Sequence, residues 1–283
     1  MALKMPPLWT LYGLTRGKAT SRWRGSGAEP GQAGFLGMPR FDPAKCQQDC
    51  RECLDTCLAG AIRPAAAAGE PRVTVDYGRC VVCQLCVEAC PTGAFTSSDE
   101  WAFGSRRRED LVWRQVAASA DGMRLEREIR RVFGRSLHIR HVDAGSCNGC
   151  ESELQALDNP YYNLHRFGVF FTASPRFADL LLVTGPITYA MRAPLLNTYE
   201  AMPQPRFVMA TGTCAVSGGA VAGGYACGEG LDGVLPVDLY LPGCPPNPAA
   251  IIQALLVLLG RAPQRVRAGR ITPDAPGPEQ PHV

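Results

Sequence analysis

The placement of thirteen cysteines constrains this 283-residue chain more than any other feature. Eight of them crowd into residues 46–90, and four of those read Cys80-x2-Cys83-x2-Cys86-x3-Cys90-Pro91. Three thiolates at two-residue intervals wrap one cubane iron–sulfur cluster, while the fourth ligates the other cluster of a pair. Zinc is the lesser alternative, because a tetrahedral site gains nothing from three ligands crowded on one turn. The segment is duplicated: Cys50, Cys53 and Cys57 recur 33 residues later as Cys83, Cys86 and Cys90. Two copies of one small unit are expected to pair face to face. The first copy, Cys46-x3-Cys50-x2-Cys53-x3-Cys57, has an extra residue in its first gap, and Leu58 stands where proline is usual. A bulge at a loop end still permits a 4Fe–4S site, with a three-iron or degraded cluster as the alternative. Crossed ligation then assigns Cys46, Cys50, Cys53 and Cys90 to one cluster, and Cys57, Cys80, Cys83 and Cys86 to the other.

The second cysteine territory reads as a different fold. Residues 136–142, 167–172, 179–184, 206–210 and 237–241 are short β-branched or aromatic runs, most separated by helix-length segments. That alternation predicts an α/β domain with a mostly parallel sheet and helices on both faces, beside a small α+β two-cluster unit. Cys147, Cys214 and Cys244 each follow a strand, and such positions converge on the carboxyl edge of a parallel sheet. With Cys150 they supply four thiolates for a third cluster. Cys227 is left over and is expected to be a buried, inert thiol. A thioredoxin-like reading of Cys147 and Cys150 is disfavoured, since Asn148, Gly149 and Glu151 offer no thiolate-stabilising helix start. Glu151 has two readings: an acid favoured by a helix N-terminus, or a carboxyl passing protons toward a partner's active site. His138 and His141 alternate on a strand and read as structural.

Composition sets outer limits. Hydrophobic residues make up 46% and charged residues 19%, which excludes wholesale disorder, and a net charge of +3 is too balanced for a general nucleic-acid binder. No phosphate loop, dinucleotide fingerprint or nucleophile triad is present in the sequence. No signal-peptide core and no run of roughly 18 apolar residues occurs, so a cytoplasmic chain with metal-ligating thiols is expected. An organellar transit peptide is the alternative for the basic start. The expected divisions are a basic arm at 1–35, the two-cluster domain at 36–100 and a charged linker helix region at 101–136. The third-cluster domain follows at 137–261, and a loose tail at 262–283.

Residues 137–260 resemble the proximal-cluster subunit shared by group 4 nickel–iron hydrogenases and respiratory complex I. The matching pieces include Asp143-Ala-Gly-Ser-Cys-Asn-Gly-Cys-Glu151, Thr184-Gly-Pro-Ile-Thr188, Thr213-Cys-Ala-Val-Ser-Gly-Gly219 and Pro236-Val-Asp-Leu-Tyr-Leu-Pro-Gly-Cys-Pro-Pro246. Residues 18–113 resemble the two-cluster ferredoxin subunit of the same complexes, so the chain reads as a fusion. Complex I relatives carry adjacent cysteines where this chain has Cys147-Asn-Gly-Cys150, a form similar to formate hydrogenlyase and other membrane-bound hydrogenases. The resemblance implies a flavodoxin-like partial fold and three 4Fe–4S clusters carrying electrons to a hydrogenase- or complex I-type large subunit. It implies a formate or carbon monoxide dehydrogenase module, or a soluble ferredoxin, as donor. Membrane subunits would hold the complex peripherally on the cytoplasmic face of the inner membrane. The nickel–iron centre would lie in the large subunit, so catalysis would need that partner. A quinone-reducing complex, and an assembly module whose clusters do no redox work, are the alternatives.

Overall fold

The computed structural model describes residues 12–15, 17, 19–23, 31–47, 49–65, 72–114 and 136–272. The small unit comes first in the chain and shows the duplication directly. Strands β1 (Arg40–Phe41), β2 (Ile62–Pro64), β3 (Val73–Val75) and β4 (Phe95–Thr96) alternate with helices α1 (Glu52–Thr56) and α2 (Leu85–Ala89). The two helices sit one repeat apart, and Cys53 and Cys86 are the buried residue of each. Strand β1 pairs antiparallel with β4, and β2 with β3, so the halves close on each other as expected.

The larger unit is built on β5 (Leu137–Asp143), β6 (Val169–Phe171), β7 (Leu180–Thr184), β8 (Phe207–Thr211) and β9 (Leu239–Leu241). All neighbours are parallel in the order β6-β5-β7-β8-β9. Strands β7 and β8 are buried at every position, which is why they read as continuous apolar runs rather than alternating ones. On one face, Leu180, Leu182 and Met209 pack against α3 (Gly149–Ala156) and α6 (Pro248–Leu258). On the other, Leu181, Val183 and Val208 pack against α4 (Tyr189–Glu200) and α5 (Thr213–Ser217). That second core runs without a break into the small unit through Phe103, Leu111 and Trp113.

Helix α6 is buried all round because a segment of the expected linker covers its outer side. A Cβ on Gly104 would stand 2.9 Å from the Ala254 Cβ, and Arg106 Nη2 donates to the Val257 carbonyl at 2.6 Å. Asn247 caps this helix by accepting from the Ala250 amide at 2.7 Å. Ser105 meanwhile exchanges backbone hydrogen bonds with Tyr240 on the open edge of β9. Arg108 closes the segment onto β3 with two 2.7 Å bonds to Asp76. Ala102, Phe103, Ser105, Asp110, Leu111 and Trp113 of the expected charged linker are thus buried. The remainder of the expected linker helix region, residues 115–135, lies outside the described residues.

The expected loose tail also departs from its description up to residue 272. Val266–Arg267 (β10) and Arg270–Ile271 (β11) form a hairpin whose turn residues, Ala268 and Gly269, both have positive φ. Val266 is fully buried, and the Gly269 amide donates to the Asp110 carbonyl at 2.8 Å. Part of the arm is docked too. Trp23 is buried edge-on against Trp101 at 5.7 Å, and the Ser21 amide donates to the Tyr161 carbonyl at 2.9 Å. An apolar ring and free backbone donors outweigh the repulsion of a basic segment. Among the described residues, no helix is long and apolar enough to cross a membrane.

Candidate metal centre

Loop backbone geometry brings the thiols together. Val82, Gln84 and Asn148 hold positive φ, a conformation that non-glycine residues adopt only where surroundings over-determine it. Such turns aim amides at sulfur: the Val82 amide lies 3.4 Å from Cys80 Sγ, and after Gly60, also at positive φ, the Ala61 amide lies 3.3 Å from Cys57 Sγ. Such bonds are among the levers that set a cluster's potential.

Mutual electrostatics sort the thiols into three sets. Burial first, then Cys46, Cys50 and Cys90, push the Cys53 thiol up to about 11. Cys46 is raised by burial and by Cys50 and Cys90. In the second set, burial and then Cys80, Cys57 and Cys83 push Cys86 up to about 12. In the third, burial and then Glu151, Cys214, Cys244 and Cys147 raise Cys150. Cys214 is pushed up to about 11 by burial, Cys244, Cys147 and Cys227. Neighbouring thiols therefore act on one another mainly within these groups, while Cys80 also feels Cys244 and Cys214 also feels Cys227. Cys90 is the exception in direction: burial raises it, but hydrogen bonding from the Phe95, Thr92 and Ala94 backbone and from Thr92 lowers it overall.

The donor chemistry fits iron–sulfur clusters. Thiols that crowd and desolvate one another are poor anions until iron provides the charge, and the Arg72 guanidinium offsets this only in part at Cys46. Among the described residues, no three His, Cys, Asp or Glu converge as they would on one metal ion. Tetrahedral zinc with about 2.3 Å bonds would need its sulfurs about 3.8 Å apart. A cube of iron and sulfide needs the wider spacing. Gly212 keeps room for it: its φ is +88°, and a Cβ there would stand 2.6 Å from Cys150 Sγ. Gly212→Ala is therefore expected to lose about four iron per chain, one cubane. Iron analysis and spectroscopy of the purified variant check this; a full complement would show that the loop yields.

Cys227 is buried, and its Sγ donates to the Val221 carbonyl at 3.0 Å. His138 stacks on Phe170 at 5.8 Å, and its amide donates to Asp179 at 2.8 Å. Glu151 is buried and accepts from Ser146 Oγ at 2.7 Å and from Thr184 Oγ1. His141 Nε2 reaches Thr184 Oγ1 at 2.9 Å and lies 3.7 Å from Glu151, and burial lowers its pKa. Sequence reasoning missed that Thr184 joins Glu151 to His141; the visible signal was its place at the end of β7, level with Asp143 of β5.

Thiol sets at the open end of a parallel sheet, beside a duplicated cysteine unit, define an iron–sulfur protein of the electron-transfer class. Comparison with known proteins agrees. Residues 147–258 match the family described as NADH ubiquinone oxidoreductase, 20 Kd subunit, and residues 41–94 match the 4Fe-4S dicluster domain. A probable membrane-bound hydrogenase subunit of Pyrococcus furiosus is 38% identical over 159 residues, covering 55% of this chain and 95% of that one. An uncharacterized protein of Methanocaldococcus jannaschii is 44% identical over 128 residues, 45% of this chain and 86% of the other. Formate hydrogenlyase subunit 7 of Escherichia coli is 42% identical over 134 residues, 47% of this chain, which spans about half (52%) of that protein's length. The chain belongs to the NADH ubiquinone oxidoreductase 20 kDa subunit family and carries a 4Fe–4S dicluster domain fused ahead of it.

Proposed function

We propose that the chain is a three-cluster electron-transfer subunit of a hydrogenase- or formate hydrogenlyase-type complex. The supporting observation is the mutual proximity of thiols at three places, with the Cys80 loop hydrogen-bonded to the Cys214 loop through Thr213. Cys80, pushed up to about 12 by burial and partly relieved by the Val82 amide, is raised in turn by Cys57, Cys83 and, across the two units, Cys244. When bound, each cluster supplies one-electron redox chemistry at its thiolates. Cys46, Cys50, Cys53 and Cys90 hold the outer one, the set farthest along this chain of contacts. Cys57, Cys80, Cys83 and Cys86 hold the middle one, and Cys147, Cys150, Cys214 and Cys244 the last.

Cys147 and Cys244 are exposed, so the last set opens at the carboxyl edge. A partner large subunit covers this edge, and its own reaction centre consumes the electrons. The donor faces the Cys46 loop; a formate or carbon monoxide dehydrogenase module, or a soluble ferredoxin, suits that role. Membrane association comes through other subunits of the complex; the similarity to a probable membrane-bound hydrogenase subunit supports this. Glu151, fixed by Ser146 and Thr184 beside Cys150, is placed to hold or pass a proton at the covered edge.

Anaerobically purified chain is expected to contain about twelve iron and twelve acid-labile sulfide, four of each per cubane. Cys227→Ala should leave that count unchanged. A folded anaerobic preparation loaded with zinc and free of iron would end this reading, and loss of about four iron in the Cys227 variant would show a misassigned ligand.

A further inference from the structure

We propose that Thr213 is a positioning residue that locks the middle thiol set onto the last one and provides the bonded route between them. The proposal rests on the three-cluster reading above and names the contact through which its inner step runs. Thr213 is only 1% exposed. Its Oγ1 donates to the Cys80 carbonyl at 2.9 Å and accepts from the Gly243 amide at 3.1 Å. Its own amide donates to the Gly243 carbonyl at 2.9 Å.

Each residue in this arrangement is, or immediately precedes, a proposed ligand: Cys80 itself, Thr213 before Cys214, and Gly243 before Cys244. One hydroxyl therefore ties three ligand loops from two units at a single buried point. It also completes an unbroken path from the Cys80 thiol, through its carbonyl and the hydroxyl, along Thr213 to the Cys214 thiol. No gap along that path is wider than a hydrogen bond. The electron balance is simple: the middle cluster loses one electron, the last gains it, and no bond is made or broken.

A hydroxyl is required because it must donate and accept together. Valine matches threonine in shape and does neither, whereas serine does both. Without the hydroxyl, the Cys80 carbonyl and the Gly243 amide lose a partner in a buried seam, and the seam loosens.

The test uses the full-length, cluster-loaded chain with Thr213→Val and Thr213→Ser. Iron and sulfide content is measured first. Freeze-quench electron paramagnetic resonance, after a one-electron reductant is mixed in, then reads transfer between the middle and last clusters. The same spectra report the magnetic coupling of the two reduced clusters. Thr213→Val is expected to keep full iron, weaken the coupling and slow the transfer about tenfold, in line with the sensitivity of fixed-geometry steps to small misplacements. Thr213→Ser should restore both. Unchanged transfer and coupling in Thr213→Val would overturn the proposal. So would a serine variant that behaves like valine, or loss of iron in the valine variant, which would make Thr213 a support for the ligands alone. Absence of the middle or last cluster from the unsubstituted chain would instead overturn the three-cluster reading.

Discussion

Removing the iron is expected to unfold the small unit while the parallel sheet survives. The strands of that unit are two or three residues long and its helices five. Isolated helices below about 12 residues and single two-stranded hairpins are marginal in water. A unit of this size normally needs a metal or a covalent staple. Here Cys53 and Cys86 lie inside the hydrophobic core, so the clusters themselves would fill it. The larger unit has five strands and a core of aliphatic side chains that contains no proposed ligand on the α6 side.

Anaerobic chelation followed by hydrogen exchange checks this. Amides of Ile62 and Val75 should lose protection, while those of Leu181 and Val208 keep it. Protection retained in both regions would show that the fold does not depend on iron. Whatever fraction of the small unit still folds without iron depends on pH with a definite sign. Burial holds Cys53 near about 11 and Cys80 and Cys86 near about 12 when folded, against about 8.5 for an unperturbed thiol. Packing around protonated thiols is therefore fully present below about pH 8.5 and is lost as pH rises toward 12. Cluster assembly runs the other way, since iron displaces these protons and is favoured by rising pH.

The strands and the two-cluster cysteine unit were legible in the sequence because local signals specified them. Leu180–Thr184 is buried on both faces and so reads as an unbroken apolar run. Cysteine spacing is fixed by ligand geometry within one loop, which is why the two-cluster motif is visible without any tertiary information. Tertiary contacts hid the rest. Nothing local distinguishes Val266 and Ile271 from a solvated tail, because each is flanked by arginine and meets the core only once the hairpin is docked by the Gly269 bond to Asp110. Trp23 sits in a basic segment and becomes core only where Trp101 meets it. The roles of Thr184 and Thr213 depend on residues 33 and 133 positions away, beyond the reach of any motif.

Alone, the chain is expected to evolve no hydrogen and reduce no quinone, and to become active only when a large subunit covers the carboxyl edge. Large apolar side chains are exposed where the chain leaves β7 and α5. Tyr225 is fully exposed, and Tyr189 and Val221 are each more than half exposed. The Tyr189 amide donates to the Ala226 carbonyl at 2.9 Å, so the two tyrosines belong to one joined rim. Exposed tyrosines at the centre of an interface are frequent anchors, costing about 2 kcal/mol or more on truncation. Tyr225→Ala combined with Tyr189→Ala should therefore weaken docking of the large subunit by about 30-fold or more, with iron content unchanged. Titration of the purified large subunit against the cluster-loaded chain measures it. Glu151→Gln should leave docking and iron intact but lower turnover of the assembled complex, because the amide keeps the shape and cannot carry the proton. Unchanged affinity in the tyrosine double variant would move the interface elsewhere, and unchanged turnover in Glu151→Gln would reduce that carboxylate to a brace between Ser146 and Thr184.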